Sequence, residues 1–250
     1  MIVLQTDHRN NIRITDHFAK GCNGTKVNVR DYIFNKNDTI SSYGILRGTG
    51  KIFKKSNNFY YIDHGYFNQS QRNFDQNRTI INKLNGYFRV VYNDFWHNGE
   101  GSSSEDRLNK MKLTFKDINK SGEYIILSEP TDDAIAYYKL KDWVKNTIEE
   151  IKKHSDRKII LHNRASQVSL LDLLPRAWAF ISDHSSAGFK AMQNGVPAYF
   201  TNQTLKKIGD IKNIEKHGIN YSVFNNLAYG QWTIKEIESG ECWQYLSNKL

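Results

Sequence analysis

The residues best suited to chemistry come in short polar clusters, each placed directly after an apolar run. In "WAFISDHSSAGFKAMQNGVPAYFTN" (Trp178 to Asn202), Asp183, His184, Ser185, Ser186 and Gly188 stand where a strand pattern hands over to a helix pattern. Helix-start amides at the carboxyl end of a parallel strand favour an anion, and the helix dipole adds partial positive charge. The hydroxyls of Ser185 and Ser186 add donors, and Gly188 leaves room for a bulky anion to approach. The stretch therefore describes a phosphate or diphosphate cradle without a P-loop lysine. An ordinary N-cap, for which one serine suffices, is the structural alternative. A second cluster lies in "YYIDHGYF", where Asp63 and His64 follow a strand pattern and precede Gly65. An imidazole there can deprotonate an acceptor hydroxyl, with Asp63 orienting it or serving as the base. The alternative is an Asx-turn with Tyr66 and Phe67 as core. "QTDHRNN" sets Asp7, His8 and Arg9 after the first strand pattern, and Asp94 and His97 are weaker candidates. Most of the aromatic residues between Tyr60 and Trp96 are expected in the core. Those just after Asp63, Tyr66 first, are suited to stacking on a sugar or nucleobase.

The second half supplies clear elements to hold these residues. "EYIILSEP", "KIILHN", "WAFISD" and "VPAYFT" read as buried parallel strands. Between them "KLKDWVKNTIEEIKKHS", "VSLLDLLPRA" (capped by Ser166 or Ser169) and "AGFKAMQNG" read as helices. Strands and helices alternating at these lengths make a doubly wound α/β sheet. The first half is less regular. "MIVLQT", "NFYYIDHGYF" and "GYFRVVYNDF" read as strands, "TISSYGILRGTGKIFKKS" as a helix, and "HNGEGSSSEDRLNKM" (His97 to Met111) as a mobile loop and boundary marker. The tail from Leu227, with Trp232, Ile234, Ile237, Trp243 and Leu246 as anchors, reads as helical. The start, with no basic run before its apolar burst, reads as a first core strand rather than a signal peptide.

The segment from Phe180 to Asn202 resembles the donor-binding segment of two-domain, GT-B type glycosyltransferases and the related nucleotide-sugar 2-epimerases. In those families a Ser-rich turn, a Gly, an "EA"-like helix and a "GxPv" turn follow one another. "YIILSEPT" resembles the first strand of the same domain, and "KIILHNRA" sits where capsule-type transferases carry an "RpH"-like pair. The resemblance spans roughly 75 residues. It implies a nucleotide-sugar donor, a UDP-sugar first, held by Ser185, Ser186, His184 and Gly188 with Arg164, Ser128 and Glu129 nearby. His162 and Asn163 would also lie near the donor. Lys190–Ala191 stands where the family usually has Glu–Ala, so the family's acidic ribose contact has no counterpart there. Asp63 and His64 would be catalytic, and Arg9, His8 and Tyr66 would contact the acceptor or a phosphate. The implied fold is α/β, GT-B type, with two Rossmann-like lobes around a cleft and the first lobe reduced. The expected organisation is an acceptor lobe over 1–122, a donor lobe over 123–231, and a helix over 232–250 packing back on the first lobe.

Other chemistries lack their signatures. There is no G-x-S-x-G elbow, no HExxH, no P-loop, and "RGTGK" is only a G-x-G. No metal or further cofactor is expected. Two distant cysteines, Cys22 and Cys242, read as reduced cytoplasmic thiols, and no apolar run is long enough to span a bilayer. The net charge is +9. Residues 1–122 hold 19 Lys/Arg against 11 Asp/Glu, and residues 123–250 hold 16 against 15. That asymmetry suits a polyanionic acceptor. The first expectation is duplex DNA bearing hydroxymethylated pyrimidines, as for bacteriophage DNA-modifying glycosyltransferases, acting in the host cytoplasm. A charged surface polysaccharide or lipid-linked acceptor is the alternative. A non-catalytic nucleic-acid-binding protein on the same scaffold is the third reading.

Overall fold

The computed structural model describes residues 1–74 and 80–248. The chain divides into two compact units, one of residues 1–97 with 229–250 and one of residues 98–228. In chain order the first segment contains β1 (Ile2–Gln5), α1 (Arg9–Gly21), β2 (Thr25–Asn28), β3 (Ile40–Tyr43), α2 (Thr49–Phe53), β4 (Phe59–His64), β5 (Arg72–Phe74), β6 (Ile80–Asn82) and β7 (Tyr87–Tyr92). The second unit contains α3 (Asp106–Lys110), β8 (Tyr124–Ser128), α4 (Asp132–Tyr138), α5 (Trp143–Lys152), β9 (Lys158–His162), α6 (Leu170–Leu173), β10 (Ala177–Ser182), α7 (Ala187–Gln193), β11 (Ala198–Phe200) and α8 (Ser222–Ala228). The tail returns to the first unit with β12 (Gln231–Thr233), α9 (Ile234–Glu238) and α10 (Glu241–Ser247). Residues 249 and 250, the last two of the expected terminal helix, lie outside the described residues.

The first unit is built on a six-stranded sheet in the order β12-β7-β4-β3-β1-β2. Its strands β2, β1, β3 and β4 run parallel, and β7 and β12 are added antiparallel, each to its neighbour. Side chains alternate across β4. Tyr60 and Ile62 pack with Val3, Ile14, Phe18 and the tail residues Trp232 and Ile237, while Phe59 and Tyr61 pack with Leu4, Ile40 and Phe53. Both faces are thus covered, as a parallel sheet requires. Thr233 caps α9 in a reciprocal capping box with Glu236, which fixes the turn from β12 into the helix.

The second unit holds a four-stranded, all-parallel sheet in the order β11-β10-β8-β9. One face packs Ile125, Leu127, Ala179 and Ile181 on Trp143 and Ile151 of α5. On the other, Phe189 of α7 packs 5.7 Å from Phe200 and 6.5 Å from Phe224 of α8, centroid to centroid. Gly195 ends α7 at φ 78°, and a Cβ there would lie 2.0 Å from the Asp117 carbonyl, so glycine is required on both counts. Read by chain order, the parallel strands of both units follow one scheme, second-first-third-fourth, with no repeat in the sequence. Among the described residues no helix is long and apolar enough to cross a membrane.

Several expectations need correction. Ile40–Tyr43, read as helix, is a central strand. Its Ser42 hydroxyl donates to the Leu4 carbonyl (2.7 Å) and accepts from Asn11 Nδ2 (3.1 Å), a tertiary fit that local propensity does not carry. Trp232 lies in β12, not in a helix. The stretch from His97 to Met111 contains α3, and its Gly99 and Gly101 carbonyls accept from Asn226 Nδ2. The division between units falls at 97/98, not 122/123. The first unit is short of helices rather than of strands, since no helix joins β2 to β3.

Candidate functional site

In an open parallel sheet, ligands bind beyond the carboxyl ends of the strands where the strand order reverses. In the second unit that point lies between β8 and β10, because the chain steps from β8 out to β9 and then crosses back to β10. The register brings the ends level: Ser128 pairs with His162, and Leu127 with Ile181. Five of the expected donor residues lie at these two strand ends: Ser128 closes β8 and Glu129 follows it, while His184, Ser185 and Ser186 follow β10. His162, Asn163 and Arg164 end the neighbouring strand β9 and begin its loop.

The details differ from a helix-start anion cradle. The Ser185 amide donates to Ser182 Oγ (3.1 Å), the Ala187 amide to Ser185 Oγ (3.2 Å), the Gly188 amide to the Ser185 carbonyl (3.0 Å) and the Phe189 amide to the Ser186 carbonyl (3.1 Å). These donors are consumed by the turn itself, and α7 has only seven residues. What the turn offers a ligand is the half-buried hydroxyls of Ser185 and Ser186 and the side chain of His184. Gly188 does not open a path for an anion. It is buried, and a Cβ there would lie 2.6 Å from the ring of Phe200, so its smallness seats α7 on β11.

Glu129 accepts from Asn163 Nδ2 (2.7 Å), which ties the loop after β8 to the loop after β9. A carboxylate there suits sugar or ribose hydroxyls and repels phosphate. Arg164 is exposed, with no acidic partner among the described residues. Sequence reading placed Asp183 in this cluster without giving it a role, and it passed over Thr201, Trp143 and Tyr138 as parts of this edge. Asp183 is buried, accepts from Thr201 Oγ1 (2.6 Å), and meets His184 Nδ1 at 2.5 Å. Trp143 Nε1 donates to Thr201 Oγ1 (2.7 Å), and the Tyr138 ring lies 4.4 Å from that of His184. The tyrosine pair in "AIAYYKL" was the available signal, but only folding brings it to His184.

The corresponding reversal in the first unit lies between β1 and β3. His8 caps α1, its Nδ1 accepting from the Asn10 amide (3.3 Å), and Arg9 is the exposed first residue of that helix. Burial and the Arg47 guanidinium hold the His8 imidazole below its ordinary pKa. Arg47, from the loop after β3, was not foreseen. Asp7 is engaged by Arg30. Asn11 locks the two strand ends together, accepting from the Thr6 amide (2.8 Å) and donating to the Tyr43 carbonyl (2.7 Å).

Asp63 and His64 are the last residues of β4 rather than residues of a loop. Asp63 Oδ1 accepts from the His64 amide (2.7 Å), and Oδ2 from the Tyr61 hydroxyl (2.6 Å) and Arg89 (3.1 Å). Burial works to raise its pKa, but Arg89, His64 and these donors outweigh it and hold the carboxyl below the usual range. A carboxylate so held is a weak base. His64 is buried; its ring stacks on Phe88, and its Nε2 meets the Tyr43 hydroxyl at 3.1 Å. Tyr66, expected to contact an acceptor, is 2% exposed. Its hydroxyl accepts from the His97 amide (2.7 Å), and burial pushes the phenol well above its ordinary pKa. It is a core residue.

The fold these features define is a mixed α/β fold with parallel, Rossmann-like sheets. Among solved structures the chain is similar to KpsC of Thermosulfurimonas dismutans, a beta Kdo 2,7 transferase, with a TM-score of 0.50 over 100% of both chains. The two sequences are 12% identical, so the likeness is one of fold. No protein-family model matches the sequence, and no curated protein does.

Proposed function

We propose that the protein is a glycosyltransferase that moves a sugar from a nucleotide-activated donor to a carbohydrate acceptor of a surface polysaccharide. The observation that carries this is the set of polar side chains at the order reversal of the second sheet, in a chain similar in fold over its whole length to a beta Kdo 2,7 transferase. The donor is a nucleotide sugar, with UDP-sugars and a Kdo donor first in the panel. The hydroxyls of Ser185 and Ser186 and the Arg164 guanidinium would bind its phosphate and stabilise charge on the leaving group. Glu129 would accept from sugar or ribose hydroxyls.

The charge asymmetry behind the duplex-DNA reading narrows when charge is counted by unit. Residues 1–97 with 229–250 hold 16 Lys/Arg against 10 Asp/Glu, and residues 98–228 hold 19 against 16, or +6 and +3. The excess is shared. Arg9 and Arg47 still give the first unit a cationic edge suited to an acidic glycan. The test is transfer of label from a nucleotide-sugar panel to capsular oligosaccharides, with hydroxymethylated duplex DNA as the competing acceptor. Label on oligosaccharide supports the proposal. Label on DNA, with duplex retention that weakens steeply with salt, restores the other reading. Absence of binding by every nucleotide in calorimetry would end the enzyme reading.

A further inference from the structure

Asp183 is a buried carboxylate, 7% exposed, and among the described residues no lysine or arginine pairs with it. A buried charge without a counter-charge is costly, as it is when one partner of an ion pair is removed. The direction of its hydrogen bonds is fixed. Thr201 Oγ1 accepts from the Trp143 indole, so its own proton goes to Asp183 Oδ1. The other oxygen can only accept, so His184 Nδ1 carries a proton. The atom at which this imidazole gains or loses charge is therefore Nε2. The ring meets the Asp183 carboxylate through Nδ1 and lies 4.4 Å from the Tyr138 ring of α4; it belongs to the turn that carries Ser185 and Ser186, and its side chain is 16% exposed. The amides of Ser185, Ala187, Gly188 and Phe189 are already used internally, so side chains must supply much of the positive charge for an anion here.

We propose that Asp183 holds His184 as the proton-dependent cation of this site, which binds the phosphate of the nucleotide donor as imidazolium. The inference rests on the nucleotide-sugar reading of the same edge. When phosphate binds, one proton is taken from solvent onto Nε2, and the imidazolium is held between the ligand's anion and Asp183. Asp183 from its own turn and the phenol-bearing Tyr138 from α4 face the ring. The neutral Thr201 and Trp143 stand behind the carboxylate. His184 would contact the ligand directly; Asp183, Thr201 and Trp143 are positioning residues.

The experiment is calorimetry of CMP, UDP and GDP, and of their nucleosides, from pH 6 to 8.5 on the wild type, His184→Gln and Asp183→Asn. In the wild type, nucleotide affinity should rise as pH falls, by up to about tenfold per unit. The nucleosides should show no such slope. His184→Gln should lose that part of the slope not due to the ligand's own phosphate and bind nucleotides about tenfold more weakly at pH 6. Asp183→Asn should weaken nucleotide binding at pH 6, because the imidazolium loses its counter-charge. Nucleotide binding with the same pH profile in wild type and His184→Gln would overturn the inference and leave the nucleotide reading standing. Failure of every nucleotide to bind the wild type would overturn both. Should the variants not fold, nitrogen-15 NMR of histidine-labelled wild type decides the matter. Nδ1 protonated throughout, with Nε2 becoming protonated on UDP addition at pH 7.5, supports the pair; an unchanged Nε2 refutes it.

Discussion

Arg89 is 3% exposed and donates to the Phe95 carbonyl (3.0 Å), the His64 carbonyl (2.5 Å) and Asp63. Its guanidinium carbon lies 3.8 Å from the centre of the Trp96 ring. So enclosed, the cation is paired with the Asp63 carboxylate. Asp63→Asn should cost about 3 kcal/mol in urea unfolding, because it removes a carboxylate paired with a buried guanidinium. The pH dependence has a definite sign. A carboxyl depressed in the folded state adds stability above its unfolded pKa of about 4, and that stability drains as pH falls through the lower folded value. Wild-type stability should thus fall below pH 4 more steeply than that of Asp63→Asn. A variant as stable as wild type but without transferase activity would instead make Asp63 catalytic. The types at 63 and 64 suggested a base, and nothing in the sequence pointed to Arg89, 26 positions away and one strand over.

Among the elements, α7 carries the largest revision. Its apolar spacing and the following Gly195 were legible, and so was the strand before it. The role of Gly188 was not, because a glycine at a helix start can serve a ligand or a neighbour equally well, and only the position of Phe200 decides. Gly188→Ala should therefore cost about 1–3 kcal/mol, the usual price of overpacking, seen as a lower melting temperature with nucleotide affinity unchanged in the folded fraction. Loss of affinity at full stability would return Gly188 to the ligand. Gly21, the last residue of α1, makes the same kind of demand. A Cβ there would lie 1.9 Å from the Ile237 carbonyl of α9, so Gly21→Ala should loosen the tail on α1, read as faster amide exchange in 234–247.

For the molecule as a whole, the first unit is completed by the end of the chain. Trp232, Ile234, Ile237, Cys242 and Leu246 belong to one core cluster with Val3, Ile14 and Phe18. Cys22 and Cys242 are both buried there as free thiols. Removing residues 229–250 should unfold the first unit selectively, with hydrogen-exchange protection lost through 1–97 and kept in the strands of 98–228. Uniform loss in both units would show that neither folds alone. Because the tail belongs with the first unit, the charge counted by unit is +6 and +3 rather than the +8 and +1 of the two halves of the chain.

The sequence by itself determined the α/β class, nearly every parallel strand of the second unit, and the turn after β10 as the place to look. These are local properties, written in period, length and turn chemistry. Tertiary structure decided the strand in "TISSYG", the return of the tail, and the separation of Asp63 as an arginine's partner from Asp183 as a histidine's. Those depend on contacts between residues distant in the chain, where burial fixes which donor each carboxylate meets. A sequence gives the types of such groups; only the fold gives their partners.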